Sequence, residues 1–269
     1  MLVCVDKTLL YLAPHTVQSP VPDRMSVVTD QPGFKSSFSQ PLSSGHGLAQ
    51  LNSLDQLLVR QKVELCEAVS GFEQKNKYQI CDSHEQEIFF LREETSCCNR
   101  QCCGPSRSFD FFLSDAQKDE VLHIHRDCVL SPCGWPHCFC CLCCCECAEQ
   151  AMTISSFGAE LGTLSLARTF FVPTIKVMDA GGSQVFSIVS EFCQCSCGED
   201  IEYRILTMQG EEVGSITKQY NGFCKEVFTD ADNYVINFPV GIDMNKKALL
   251  LGAALMIDFL FYETKSNDN

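Results

Sequence analysis

Lys246–Glu263 reads KKALLLGAALMIDFLFYE, apolar on every side from Ala248 to Ile257, broken at Asp258 and apolar again from Phe259. A helix without a polar face lies either in a protein core or in a membrane. From Ala248 to Tyr262 it measures about 22 Å at the standard rise, short of a hydrocarbon layer of about 30 Å. An unpaired Asp258 in lipid costs on the order of 3 kcal/mol. The sequence alone leaves two readings, a buried central helix and a membrane span, and Lys246 and Lys247 suit the flank of either. The residues that would pack in core or lipid are Ala248, Leu249, Leu250, Leu251, Gly252, Leu255, Ile257 and Phe259.

Upstream of this run the texture differs. From Gly47 onward, short segments of alternating polarity such as EIFFLRE, FDFFL, EVLHIHR, SQVFSIVS and IEYRILTM are separated by Gly, Asp, Asn and Pro. That spacing predicts many short antiparallel strands, and hence a barrel or a sandwich. Before Gly47 the chain holds half of its 10 prolines among Ser, Gln and Gly, which predicts a disordered tail, either a spacer or a docking segment. The expected organisation is a tail over 1–46, one domain over 47–263 and a polar tail over 264–269.

The formal net charge of the 269-residue chain is −14, which opposes nucleic-acid binding and a purely electrostatic hold on anionic lipid. An apolar device must therefore hold the protein at any membrane. The 20 cysteines would suggest disulfides in a short secreted chain, but this chain is long, carries no Asn-x-Ser/Thr acceptor, and begins with a stretch that reads poorly as an export signal. A cytosol-facing protein with reduced thiols is expected. The densest run, PHCFCCLCCCEC (136–147), then poses a choice between a metal cage and a set of acylation sites.

Four stretches together resemble the phospholipid scramblase family: GLAQLNSLDQLLVRQKVEL with GFEQKNKYQI, the double pair CCNRQCCGPSR, the cysteine-rich run, and FTDADNYVINFP leading into KALLLGAALMIDFLFYE. The resemblance implies a tubby-like architecture, mainly β, with a closed twelve-stranded β-barrel around a hydrophobic C-terminal helix. It also implies calcium-dependent, ATP-independent movement of phospholipids between leaflets, at a phospholipid membrane that is expected to be the plasma membrane. Palmitate on Cys140, Cys141, Cys143, Cys144 and Cys145 would provide the apolar hold, since two acyl chains anchor stably where one does not. An acyl-anchored tubby-like module that binds lipid or signalling proteins without transport is the alternative.

The same resemblance implies a calcium segment at Asp230, Asp232, Asn233 and Asp243. Asp230 and Asp232 fit the first and third ligand positions, but Tyr234, Ile236 and Phe238 offer no carboxylate, and Gly241 stands where the family has an aspartate. Only Asp243 can substitute, so the expected affinity is weak, on the order of 10⁻³ M. The bland reading is a turn, TDADN, followed by an ordinary strand. Nuclear import is not expected, because GSITKQYNG keeps only Lys218 as a cation.

Zinc is not expected either, because the adjacent and alternate cysteines in CCNRQCC and CQCSC suit one tetrahedral ion poorly. His123 and His125, two apart on a predicted strand, share a face and read as solvated surface. The chain shows no P-loop, no nucleophile elbow and no H-E-x-x-H helix, so no enzyme is expected.

Overall fold

The computed structural model describes residues 47–62, 75–96, 107–127, 150–167, 173–190, 199–220 and 232–262. The tails expected at 1–46 and 264–269 lie outside these residues. A 3-10 turn, Gly47–Ser53, leads into twelve strands and one helix. The strands are β1 (Gln56–Gln61), β2 (Lys77–Cys81), β3 (Glu87–Glu94), β4 (Phe109–Ser114), β5 (Glu120–Arg126) and β6 (Ala151–Ser156). They continue as β7 (Ala159–Ala167), β8 (Thr174–Asp179), β9 (Gln184–Ser190), β10 (Ile201–Leu206), β11 (Glu212–Gln219) and β12 (Asn233–Asn237). Helix α1 follows at Met244–Phe261.

Each strand pairs antiparallel with its neighbours in sequence, and β1 pairs with β12, so the sheet closes on itself. Closure leaves no open edge for another chain to extend. Alternation along each strand sets its faces. Phe109, Phe111 and Leu113 of β4 point inward while Asp110 and Ser114 point out, and in β10 Tyr203 and Ile205 are buried between exposed Glu202 and Arg204. A membrane-spanning barrel has the reverse pattern, apolar outside and polar within.

The interior is filled by α1, whose residues are buried from Lys247 through Phe259. This resolves the choice left open by the sequence: the barrel wall surrounds the run that has no polar face. Among the described residues, no helix is long and apolar enough to cross a membrane. The helix packs on β6, β7, β8 and β12. A Cβ on Gly252 would stand 3.1 Å from Ile154 Cγ1 and 3.3 Å from Leu164 Cδ1, so the helix meets this wall closely. Phe259 sits against Phe109, with ring centroids 4.4 Å apart. Burial of each such side chain contributes about 1.5–3 kcal/mol.

The two ends of the barrel differ. At one end, the turn end, tight hairpins join β2 to β3, β4 to β5, β6 to β7, β8 to β9 and β10 to β11. Asp82, Asp115 and Asp179 each accept two backbone amides of their own turn through Oδ1, at 2.9–3.0 Å. Thr207 does the same through its hydroxyl, at 3.2–3.3 Å. The helix also starts here. Lys247 Nζ donates to the carbonyls of Leu51, Asn52 and Leu54 at 2.9, 3.0 and 2.6 Å, fastening α1 to the opening 3-10 turn. At the opposite, loop end, longer connections join β1–β2, β3–β4, β5–β6, β7–β8, β9–β10 and β11–β12.

Candidate functional site

Tyr234 of β12 pairs in register with Lys218 of β11, and Asp232 immediately precedes β12. This geometry puts an ammonium beside a carboxylate at the loop end. Lys218 Nζ is in contact with Asp232 Oδ1 and lies 3.5 Å from the centroid of the Tyr262 ring. The Asp232 backbone amide donates to Gln61 Oε1 at 3.1 Å, and its carbonyl accepts the Gln61 amide at 3.0 Å. Asp232 is thus tied to both neighbouring strands.

Beneath this pair, the last turns of α1 deliver Asp258 into the barrel. Tyr78 donates to its Oδ2 at 2.5 Å and Tyr234 to its Oδ1 at 2.8 Å. Burial, and then the negative charge of Asp232, push the Asp258 carboxyl up to about 8. Burial also raises the phenols of Tyr203, Tyr234 and Tyr262. Tyr203 and Tyr262 share a hydrogen bond of 2.8 Å. The shift favours the protonated form of Asp258 beside the Asp232–Lys218 pair. That arrangement removes the cost of an isolated buried carboxylate.

Of the expected calcium ligands, Asp232 and Asp243 lie at opposite ends of the barrel. Asp243 is the N-cap of α1, at the turn end, where its Oδ1 accepts the Lys246 amide at 3.0 Å and its Oδ2 meets Lys246 Nζ at 2.9 Å. Strand β12 separates it from Asp232, a rise of about 3.3 Å per residue, so a cation with ligands at about 2.3–2.6 Å cannot span both. Asp243 is engaged as the helix cap. Asn233 is adjacent to Asp232 but points to the other face by strand alternation. Asp230 lies outside the described residues. Among the described residues, Asp232 is already engaged by Lys218, and the neighbouring Asp258 carboxyl by Tyr78 and Tyr234.

Cys140, Cys141, Cys143, Cys144 and Cys145 also lie outside the described residues, but chain topology fixes which strands their segment joins. It runs from β5 to β6, at the loop end. Every cysteine except Cys4 and Cys81 falls in a connection anchored at that end: Cys66, the pairs at 97–98 and 102–103, the run between Cys128 and Cys147, Cys193, Cys195, Cys197 and Cys224. Cys81, at the turn end of β2, is buried, and burial raises its thiol, which disfavours the reactive thiolate.

His123 and His125 share the outer face of β5, as their spacing predicts, but both meet Asp110 of β4, a contact the spacing did not reveal. Lys218, Tyr78 and Tyr203 were likewise missed as partners of the helix end. The register between distant strands brings them there, and no local pattern marks it.

The chain matches the sequence profile described as Scramblase over residues 35–264. It is 37% identical over 229 residues to phospholipid scramblase 1 of Mus musculus, covering 85% of this chain and 67% of that protein. It is 36% identical to phospholipid scramblase 2 of Bos taurus, covering 83% and 73% of the two chains. With phospholipid scramblase family member 5 of Homo sapiens the identity is 31%, over 91% of each. No solved structure is a significant match. A closed twelve-stranded barrel threaded by its own C-terminal helix, and a profile match spanning nearly the whole of it, place this chain in the scramblase family.

Proposed function

We propose that this protein moves phospholipids between the leaflets of a membrane, in both directions and without ATP, while held at the cytosolic face by acylated cysteines. Lipid movement is supported by the names of its relatives, and it implies a transporter rather than a catalyst. The observation that carries the anchor is the gathering of the cysteine-bearing connections at one end of the barrel. Acyl chains there would turn the loop end to the bilayer, each buried methylene contributing about 0.8 kcal/mol. The plasma membrane is the proposed location, and signalling proteins are further partners of the same tethered surface.

Calcium dependence is proposed on the resemblance of FTDADNYVINFP alone. The described donors do not make a cage for the ion, and no step is assigned to it. Any divalent ion at Asp232 must compete with the Lys218 ammonium, which supports weak affinity. One observation favours the alternative of a tethered binding module: among the described residues the barrel interior is occupied by α1, not by a lipid-sized conduit.

Reconstitution in vesicles carrying a fluorescent phospholipid tests the proposal. Dithionite should reach inner-leaflet label faster than in protein-free vesicles, without ATP and more so with millimolar calcium. Equal rates at saturating calcium would leave the binding module as the surviving reading.

A further inference from the structure

Asp110 of β4 and His125 of β5 are cross-strand partners, and His123 is two residues away on the same outward face. His123 Nε2 and His125 Nδ1 both lie 2.8 Å from one oxygen, Asp110 Oδ1. The three potential ligand atoms all fall within 4.8 Å of one another. In a tetrahedral zinc site with bonds near 2.0–2.2 Å, ligand atoms stand about 3.3 Å apart. Opening the present contacts by about half an ångström, well within side-chain motion, admits an ion.

Two further features resemble the surroundings of known metal sites. The distal nitrogen of His125, Nε2, lies 3.2 Å from Asp127 Oδ1. A carboxylate on the second nitrogen of a ligating imidazole fixes its orientation and raises its basicity. His123 is held flat against Phe112, with centroids 4.7 Å apart and planes 7° from parallel. Arg92 covers the same Phe112 ring at 5.6 Å and is bound to Glu120 at 2.7 Å. Both imidazoles are therefore oriented before any ion arrives.

We propose that Asp110, His123 and His125 form a surface site for a divalent transition-metal ion, zinc foremost, with Asp127 positioning His125 and one coordination place left open. Two imidazoles and one carboxylate suit zinc, nickel or copper better than calcium, which takes oxygen ligands in greater number. The ion takes the place that the imidazole protons fill in its absence. This donor set contains no sulfur.

The test uses the full chain with its thiols blocked by N-ethylmaleimide and its metals stripped, titrated with zinc chloride. Long-range proton–nitrogen spectra should show a shift confined to His123 Nε2 and His125 Nδ1. Dialysis should retain one equivalent of zinc, lost in His123→Gln and His125→Gln with circular dichroism unchanged. Asp127→Asn should weaken binding about 10- to 100-fold without abolishing it. No retained zinc in the blocked parent, nitrogen shifts at other histidines, or full retention by His125→Gln would each overturn the proposal. The nitrogen spectra are read on the parent chain, so the outcome does not depend on any variant folding.

Discussion

Asp258 lies 180 residues from Tyr78 and 24 from Tyr234, yet both phenols reach its carboxyl. The sequence marked Asp258 as out of place in an apolar run, but its partners arrive through strand register and were not legible. Their consequence is a pH dependence. The unfolded carboxyl loses its proton near pH 4, whereas the folded one keeps it up to about 8. Between those values the unfolded state binds fewer protons, so stability falls as pH rises through the window and then levels off. Denaturation midpoints taken from pH 5 to 9 should show this slope, and Asp258→Asn should flatten it. An unchanged slope in the variant would remove Asp258 as its source. Lys247 has a comparable standing at the other end of the helix. Replacing it by Met strands carbonyls of Leu51, Asn52 and Leu54 and should cost about 1–3 kcal/mol in urea unfolding.

Among the elements, the hairpins of the turn end show local chemistry at its most readable. Asp115 starts the β4–β5 turn and Lys118 closes it with φ 69°, a conformation that glycine adopts without strain. The corresponding position of the β8–β9 turn is Gly182, with φ 74°. Lys118→Gly should therefore stabilise the fold by up to about 1 kcal/mol, offset in part by a more flexible unfolded chain. A thermal midpoint lower than the parent's would contradict this. Gly162 of β7 is the opposite case: a Cβ there would come within 2.1 Å of the Met178 carbonyl oxygen on β8. Gly162→Ala should destabilise by about 3 kcal/mol or prevent folding, read by the same melt. The strands themselves were legible from period-two alternation. The helix was legible as a helix, though whether it entered lipid or protein depended on a wall built from distant residues, such as Tyr78, 180 positions before Asp258.

At the scale of the whole molecule, the topology separates a tidy end from a cysteine-bearing end. The strand list alone could not assign connections to ends; the closed up-and-down order does so. It also puts Asp232 and Asp243, eleven residues apart in sequence, at opposite ends. If acyl chains at the loop end hold the protein, replacing Cys140, Cys141, Cys143, Cys144 and Cys145 together by Ala should shift it from the membrane pellet to the supernatant. A biotin acceptor inserted at the Gly210 turn should stay accessible to streptavidin in membrane-bound protein, since that turn lies at the far end. A mutant that still pellets would transfer the anchoring role to other parts of the chain.

The seam between β1 and β12 joins residues such as Gln56 and Asn237, 181 positions apart. A ribosome adding about 5–20 residues per second makes the first of these roughly ten to forty seconds before the second. Throughout that interval the nascent sheet is a curved ribbon with two raw edges and a greasy inner face, because the helix that fills it is made later still. Synthesis thus imposes a period of chaperone dependence on this protein, and a premature stop codon before Met244 yields a hollow, adhesive product.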